Sequence, residues 1–420
     1  MKVSAKRSLR VCYFGTYSME EGYPRNRVII EGLRRNGVDV AECHEDFWEG
    51  TTEKLEGVKH ISVMWKTLLR LLQTYRKLTY KYRQVGYYDA IIVGYAGHFD
   101  IFLAKFLNLF RRKPVIFDAF LSLYDTSVID RGVVPSGSFK AGLLRLIDTW
   151  ACRVADAVLL DTQAHIDYFV SEFHLPPEKF FAVPVGSALP VIPSKEGIQT
   201  NGLILDSCFR RNDDLRSRIT DTAHEYFTVL YFGSYIPLHG VDVILKAARI
   251  LQDNSPPFPQ GERKREIAFT LVGAGQLLPE MKQLASDLGL KNVNFVDRFV
   301  GEEELTRYIL KADICLGIFG QTDKALRVIP CKVYNCLAMG KPLITARTEA
   351  TEGILTHMDN AILCKPGDAE DLAKAILFVK NDAILRDKVA RRGKEYFMNN
   401  FSSEAIGKKV RDVIYSVLKR

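Results

Sequence analysis

Lys324, Arg327 and Lys332 stand around Pro330 in a stretch whose order suggests phosphate chemistry. Residues 312–319 read as a short apolar strand, and a polar loop follows with Lys324 and Arg327. A helix then opens at Pro330, and Gly340-Lys341-Pro342 turns into another strand. Proline is tolerated in a first helical turn because its missing N–H had no partner there. Cations gathered before a helix N-terminus, at the carboxyl end of a strand, make a site for a diphosphate. Lys332 stands where the helix dipole disfavours a cation; a neighbouring anion would explain it, and a plain surface lysine is the other reading. Gly273 and Gly275 follow a strand and open a helix, and Gly15, ahead of Thr16 and Tyr17, follows the first strand in the same way. Close approach of a ligand to the backbone would use these glycines, as would an ordinary tight turn.

Strands alternating with helices must position these groups. In the first half, strands are expected at 9–14, 38–43, 89–93, 115–118 and 157–161, with a helix at 25–36. In the second, strands are expected at 227–232, 267–272, 292–296, 314–318 and 343–345, and helices at 241–251, 277–288, 302–310 and 331–339. Such alternation implies parallel doubly wound sheets, here two Rossmann-like α/β domains facing across a cleft. The boundaries expected are an N-terminal domain over 1–186, a linker with an inserted excursion over 187–226, a C-terminal domain over 227–400, and a last helix over 401–420. A second, smaller insertion is expected at 253–264, and three helices after Ala369.

At 420 residues the chain is too long for one ordinary core. Its 47% apolar and 26% charged residues are those of a folded soluble protein. No 18-residue apolar run is present, so no membrane span is expected. The apolar segment at 9–14 is too short for a signal peptide and reads as a strand. Eight scattered cysteines then read as reduced thiols in the cytoplasm. Cys331 and Cys336 have no Cys-x-x-Cys set beside them, so no zinc site is expected. The net charge of +8 permits an anionic partner without naming one.

The second half resembles the GT-B glycosyltransferases, specifically the retaining group called family 4. The resemblance rests on Tyr231-Phe232-Gly233-Ser234-Tyr235-Ile236-Pro237-Leu238-His239-Gly240, Leu271-Val272-Gly273-Ala274-Gly275, Ala312-Asp313-Ile314, and Val333-Tyr334-Asn335-Cys336-Leu337-Ala338-Met339-Gly340-Lys341-Pro342. Looser matches in the first half are Phe14-Gly15-Thr16-Tyr17, Pro24-Arg25-Asn26-Arg27 and Leu160-Asp161-Thr162-Gln163. The resemblance implies a C-terminal domain that grips a nucleotide-sugar donor and an N-terminal domain that offers the acceptor. It implies no metal or other cofactor, because basic side chains and a helix N-terminus take the charge of the leaving diphosphate, and the chain has no Asp-x-Asp motif. Gly233, Ser234, His239, Gly240, Gly273, Gly275, Lys332 and Asn335 would then contact the donor. Departures are visible. Ser234 and His239 stand where the family has an Arg and a Lys, and the paired glutamates of Glu-x7-Glu fall on Arg327 and Asn335. An arginine suits a phosphate clamp, whereas a neutral amide holds ribose hydroxyls more weakly than a carboxylate.

On the acceptor side, His98 follows the strand at 91–93 and would orient an acceptor hydroxyl, or else start a helix with an ordinary hydrogen bond. Asp118 would accept a proton or bind a hydroxyl, or else cap a turn; where the family often has a His nearby, this chain has Phe120. Arg25 and Asn26, read on a loop, would bind an anionic acceptor or lie at the surface, and Gly15 with Tyr17 would let the acceptor approach. Asp161 and Thr162 read equally as a helix cap. Lys324 and Arg327 would stabilise the departing diphosphate.

Residues 57–88 hold seven Lys and Arg and no acidic residue. Trp65, Leu68, Leu69, Leu72, Tyr75 and Leu78 are spaced by threes and fours among them, which makes an amphipathic helix suited to an anionic membrane surface; residues 107–113 would add to that face. A packed helix with a solvated basic side is the alternative. The function expected is sugar transfer to a cell-surface glycan or its lipid carrier, in the cytoplasm or on the inner face of the membrane, with no nucleic-acid partner. The rivals are a catalytically weakened sugar-nucleotide binder and an NAD-dependent oxidoreductase. The second lacks a clean Gly-x-Gly-x-x-Gly after the first strand.

Overall fold

The computed structural model describes residues 8–19, 22–47, 61–189, 226–253 and 265–419, with the side chains of 61–68 excepted. Nearly all of the expected linker and of the insertion at 253–264 lies outside the described residues. The chain divides into two compact units. One is Met1–Ala188 with Leu326–Cys331 and Met398–Arg420; the other is Leu189–Ala325 with Lys332–Phe397.

The first unit is a six-stranded parallel sheet in the order β2-β1-β3-β4-β5-β6. Its strands are β1 (Arg10–Gly15), β2 (Asp39–His44), β3 (Ala90–Val93), β4 (Val115–Phe120), β5 (Ala157–Leu160) and β6 (Phe180–Ala182). The helices are α1 (Arg25–Arg35), α2 (Ile61–Gln84), α3 (Asp100–Leu107), α4 (Phe139–Val154) and α5 (Gln163–Phe173). Alternate residues of each strand feed different cores, as a pleat requires. Cys12, Phe14, Ile91 and Val93 pack with Leu78, Ile101, Ala151 and Phe169 of α2, α3, α4 and α5. Val11, Tyr13 and Ile92 pack on the other side with Val28 and Leu33 of α1 and with Val410 and Ile414 near the C-terminus.

The second unit repeats the plan in the order β12-β11-β10-β7-β8-β9. Its elements are β7 (Tyr226–Phe232), α6 (Val241–Asp253), β8 (Glu266–Val272), α7 (Leu278–Asp287), β9 (Val293–Val296), α8 (Glu302–Lys311), β10 (Ile314–Leu316), α9 (Asp323–Arg327), α10 (Cys331–Ala338), β11 (Leu343–Ala346), α11 (Glu349–Glu352), β12 (Ile362–Cys364), α12 (Ala369–Asn381) and α13 (Ala383–Asn400). The last helix, α14 (Ser403–Leu418), belongs to the first unit. Ser402 caps it by accepting from the Ala405 N–H at 3.3 Å. It lies so close to α1 that a Cβ on Gly407 would stand 1.9 Å from the Gly32 carbonyl carbon.

Two doubly wound α/β units are therefore present. The sequence reading did not foresee β6 and β12, three-residue strands at sheet edges, nor α9, a five-residue helix within the expected polar loop. Elements this short carry no readable period.

Candidate functional site

In each sheet the chain reverses direction between two neighbouring strands, β1 and β3 in the first unit and β7 and β10 in the second. Crevices beyond the carboxyl ends of such strands are where open α/β sheets take ligands. Glycines gather there. Gly15 ends β1 and Gly94 follows β3, and Gly233, Gly273 and Gly317 follow β7, β8 and β10.

In the second unit the loops after β7 and β8 pack backbone to backbone. A Cβ on Gly273, at φ +142°, would stand 1.9 Å from the Gly233 carbonyl oxygen, and one on Gly275 would stand 2.5 Å from the Tyr235 nitrogen. Gly273 and Gly275 thus serve loop-to-loop packing. Gly240, at φ +61°, is pressed against the backbone of Phe319 and Gly320. Gly233 differs, for the group next to it is a side chain. The Lys332 ammonium would lie 2.9 Å from a Cβ placed there. Lys332, in the first turn of α10, is buried; its Nζ lies 3.9 Å from the centre of the Tyr231 ring and 3.4 Å from His239 Nδ1. Tyr231 OH lies 2.9 Å from the same nitrogen and donates to the Ser234 carbonyl at 2.7 Å. Burial holds the Tyr231 phenol far above its ordinary range, so it stays protonated. Gly233, Ser234, His239 and Lys332 are therefore one cluster at the carboxyl end of β7. Asn335 is buried one turn further along α10. Lys324 is buried in α9, a helix opened by Thr322 Oγ1 accepting from the Ala325 N–H at 3.2 Å.

Arg327 departs from the expectation of one cation cluster in a loop. It ends α9 and belongs to the segment Leu326–Cys331 of the first unit. Its guanidinium pairs with Asp125 at 2.8 Å and lies 4.0 Å over the Tyr168 ring, and its carbonyl accepts from Thr162 Oγ1. Asp125 opens a wide turn of π-helix, Asp125–Asp130, that no sequence period announces.

Arg25 and Asn26 also correct the sequence reading. They are the first residues of α1, not a loop, and both are buried. Arg25 Nε lies 2.8 Å from both Asp118 oxygens, its Nη2 lies 2.7 Å from Oδ1, and its Nη1 donates to the Val183 carbonyl at 2.8 Å. Asp118 lies inside β4, which continues to Phe120, and it faces this arginine. Burial raises the Asp118 carboxyl above its usual range, against the pull of Arg25. Asn26 Oδ1 accepts from Tyr13 OH and from the Tyr95 N–H, while Nδ2 donates to the carbonyls of Ser18 and Tyr95. Tyr17 is buried too, donating to Glu42 at 3.1 Å and stacked on His44 at 4.2 Å. A Cβ on Gly15 would stand 2.7 Å from Asp100, whose Oδ2 accepts from the Thr16 N–H and hydroxyl. Asp161 pairs with His165, and Thr162 caps α5 by accepting from the His165 N–H.

His98 is buried in the loop beyond the carboxyl end of β3. Its Nε2 lies 3.0 Å from the Leu121 carbonyl and 3.4 Å from Asp148. Burial lowers its pKa, outweighing Asp148. A carbonyl only accepts, so the neutral ring carries its proton on Nε2. Nδ1 then presents a lone pair with no hydrogen-bond partner among the described residues. Asp148 itself is held by the Ser122 hydroxyl and the N–H groups of Leu123 and Tyr124. Asp148 escaped sequence reading because its partners are 24 to 26 residues away in the chain.

On α2, Leu78 and Tyr82 are buried, Lys77 and Lys81 pair with Glu45, and Leu69, Leu72 and Tyr80 are exposed. Among the described residues no helix is long and apolar enough to cross a membrane, no His, Cys, Asp and Glu group could hold a metal ion, and the seven cysteines are free.

Comparison with known proteins follows this geometry. Residues 213–396 match the family model "Glycosyl transferases group 1". A lipopolysaccharide core biosynthesis glycosyltransferase, LpsE of Rhizobium meliloti, is 26% identical over 186 residues, 44% of this chain and 49% of its own. The amylovoran biosynthesis glycosyltransferase AmsK of Erwinia amylovora is 25% identical over 38% of this chain and 37% of its own. The chain thus spans half or less of the length of these curated relatives. Among solved structures, Anabaena Alr3699/HepE in complex with UDP and glucose superposes with a TM-score of 0.58 at 16% identity, covering 97% of this chain and 100% of that one. Sucrose-phosphate synthase from Thermosynechococcus elongatus gives 0.64 at 15% identity, covering 98% and 99%. The resemblance to GT-B glycosyltransferases holds: the chain has the GT-B fold of solved glycosyltransferases, and residues 213–396 match the glycosyl transferases group 1 family.

Proposed function

We propose that the chain transfers a sugar, a hexose, from a nucleoside diphosphate sugar to an acceptor hydroxyl, with retention at the anomeric carbon, in building a cell-surface glycan or glycolipid. The observation that carries this reading is the Lys332 ammonium lodged over Gly233 beside His239, at the point where the second sheet reverses direction. The bond from the anomeric carbon to the diphosphate oxygen breaks, its electron pair leaving with the diphosphate; the acceptor oxygen takes its place, and the hydroxyl proton passes to the departing diphosphate oxygen. The charge left on the diphosphate falls to Lys332, Lys324 and the N–H groups opening α10. Asn335 hydrogen-bonds the ribose. Arg327, held by Asp125 and Tyr168, is a positioning residue for the start of α10. The lone pair on His98 Nδ1 receives the acceptor hydroxyl, while Arg25, Asn26, Asp118, Gly15 and Tyr17 shape the wall behind it.

The names of the relatives support an envelope glycan as product, and UDP in the HepE complexes supports the donor class. A lipid-linked acceptor would bring the protein to the inner face of a membrane. A binder without turnover is the second reading, favoured by Arg327, whose guanidinium is already engaged by a carboxylate. Incubating the full chain with UDP-, GDP- and ADP-sugars, with and without candidate glycan acceptors, separates the two. Acceptor-dependent release of the diphosphate supports the transferase, and binding without release supports the binder.

A further inference from the structure

We infer that the outer surface of α3 and α4 docks on an anionic lipid bilayer and that a cationic pocket at their C-terminal ends seats a lipid phosphate. This deepens the proposed function by assigning the contact to these two helices rather than to α2.

A helix packed on a sheet turns its polar face outward. These two do not. From the residue before α3 to just after it, Phe99, Phe102, Phe106 and Phe110 recur at intervals of three and four and are 51%, 39%, 66% and 97% exposed. On α4, Phe139, Leu143, Leu146 and Trp150 recur in the same way and are 86%, 44%, 52% and 48% exposed. The helices are neighbours on one side of the first sheet. Together they present two parallel apolar stripes, with nothing in the described residues packed over them. Large contiguous apolar patches of this kind mark interaction surfaces.

Charge identifies the occupant. Between Phe99 and Lys113 the chain has Lys105, Arg111, Arg112 and Lys113, and its one carboxylate, Asp100, is buried. Between Phe139 and Val154 it has Lys140, Arg145 and Arg153, and its one carboxylate, Asp148, is buried. Neighbouring elements supply Asp156 to Lys105 and Glu172 to Arg145. Among the described residues no ion pair engages Lys140, Arg111, Arg112, Lys113 or Arg153; Arg111 lies over the rings of Tyr82 and Tyr88, Lys113 over Tyr87 and Arg153 over Trp150. A second copy would set like charges against like, whereas an anionic headgroup layer complements them, and aromatic rings settle at its boundary with the acyl chains.

The stripes end at a cavity of about 700 Å³ where α3 and α4 finish. Lys105, Arg112, Lys113, Arg153 and Lys179 line it, with Asp156 the one carboxylate. Lys179 donates to the Arg153 carbonyl, and its pKa is lowered by burial, with Lys105 adding to the effect. Pro114 and Asp156, also in the lining, precede β4 and β5, so the cavity lies at the amino edge of the sheet. His98 and Gly15 stand at the carboxyl edge, about 20 Å away along a six-residue strand. α3 leads from one edge to the other, and Phe99, where its stripe begins, adjoins His98.

Co-sedimentation of the full chain with phosphatidylcholine vesicles, with and without about 30% phosphatidylglycerol, tests the inference. The anionic vesicles should bind about tenfold more protein, and added salt should weaken the binding. Phe106→Ser with Phe110→Ser, and separately Arg112→Glu with Lys113→Glu, should each cut binding about tenfold. Both pairs should keep the thermal melt, and Ile384→Ser, at an exposed apolar position of α13, should bind as the parent does. Equal binding to both vesicle types, or full binding by both double variants, overturns the inference. So does a dimer in light scattering that Phe106→Ser with Phe110→Ser dissociates, since a second copy would then cover the stripes. Loss confined to Arg76→Glu with Lys77→Glu would return the contact to α2. Because the readout is sedimentation, its failure leaves sugar transfer standing, and failed turnover leaves vesicle binding standing.

Discussion

Lys332 occupies the space that a side chain on Gly233 would need, its ammonium 2.9 Å from the position of the missing Cβ. Gly233 has φ +137°, a region that residues with a Cβ rarely adopt. Gly233→Ala therefore meets two obstacles, a strained backbone and a displaced ammonium. Affinity for a nucleoside diphosphate should fall about tenfold or more, from loss of a charge-assisted contact of about 1.5–3 kcal/mol. Calorimetric titration checks this, and an unchanged Kd would show that the lysine's seat is unimportant.

The Arg25–Asp118 pair is fully buried, so removing one partner leaves a charge stranded. Asp118→Ala should cost about 3–5 kcal/mol in urea unfolding. Replacing both, as Arg25→Met with Asp118→Leu, should cost less than either single change, because no uncompensated charge remains. A single variant within about 1 kcal/mol of the parent would contradict this account of the pair.

His98 gives a pH signature. Its folded pKa lies below the free value, so the fold binds fewer protons than the unfolded chain in the interval between them. The stabilisation is present above the free pKa of about 6.5 and is lost as pH falls through the folded one. The Tm advantage of the parent over His98→Asn should shrink from about pH 7.5 to about pH 5. A constant gap would mean that His98 does not titrate differently on unfolding.

Where α1 meets α14, backbone touches backbone. Gly407→Ala would drive a methyl to 1.9 Å from the Gly32 carbonyl carbon, and neither helix has a side chain to move aside. A loss of about 1–3 kcal/mol is expected. Gly137→Ala, with nothing within 4 Å, serves as the control. Equal stability of the two variants would mean that the helices are not so closely packed.

Legibility from sequence followed the range over which each signal acts. Strands such as β7 and β8 have several consecutive apolar residues, and helices such as α12 and α14 have caps and a period, so local rules found them. Gly233 and Lys332 were singled out by their places after a strand and at a helix start, and the structure sets them side by side. What escaped was pairing across long sequence separations. Nothing near Arg25 announces Asp118, 93 residues on, and nothing near Arg327 announces Asp125, 202 residues back. Charges that looked available for a ligand turned out to neutralise each other. Gly273 and Gly275 show the same limit, since their φ values and close contacts come from a neighbouring loop.

The central claim is that the second unit holds a nucleoside diphosphate against Lys332. Titrating UDP, GDP and ADP into the full chain, and into Lys332→Met of unchanged melting temperature, tests it most directly. One of the three should bind the parent and bind the variant about ten- to a hundredfold more weakly, as loss of a charged hydrogen bond requires. Equal affinity for parent and variant, or no binding of any of the three, would contradict it.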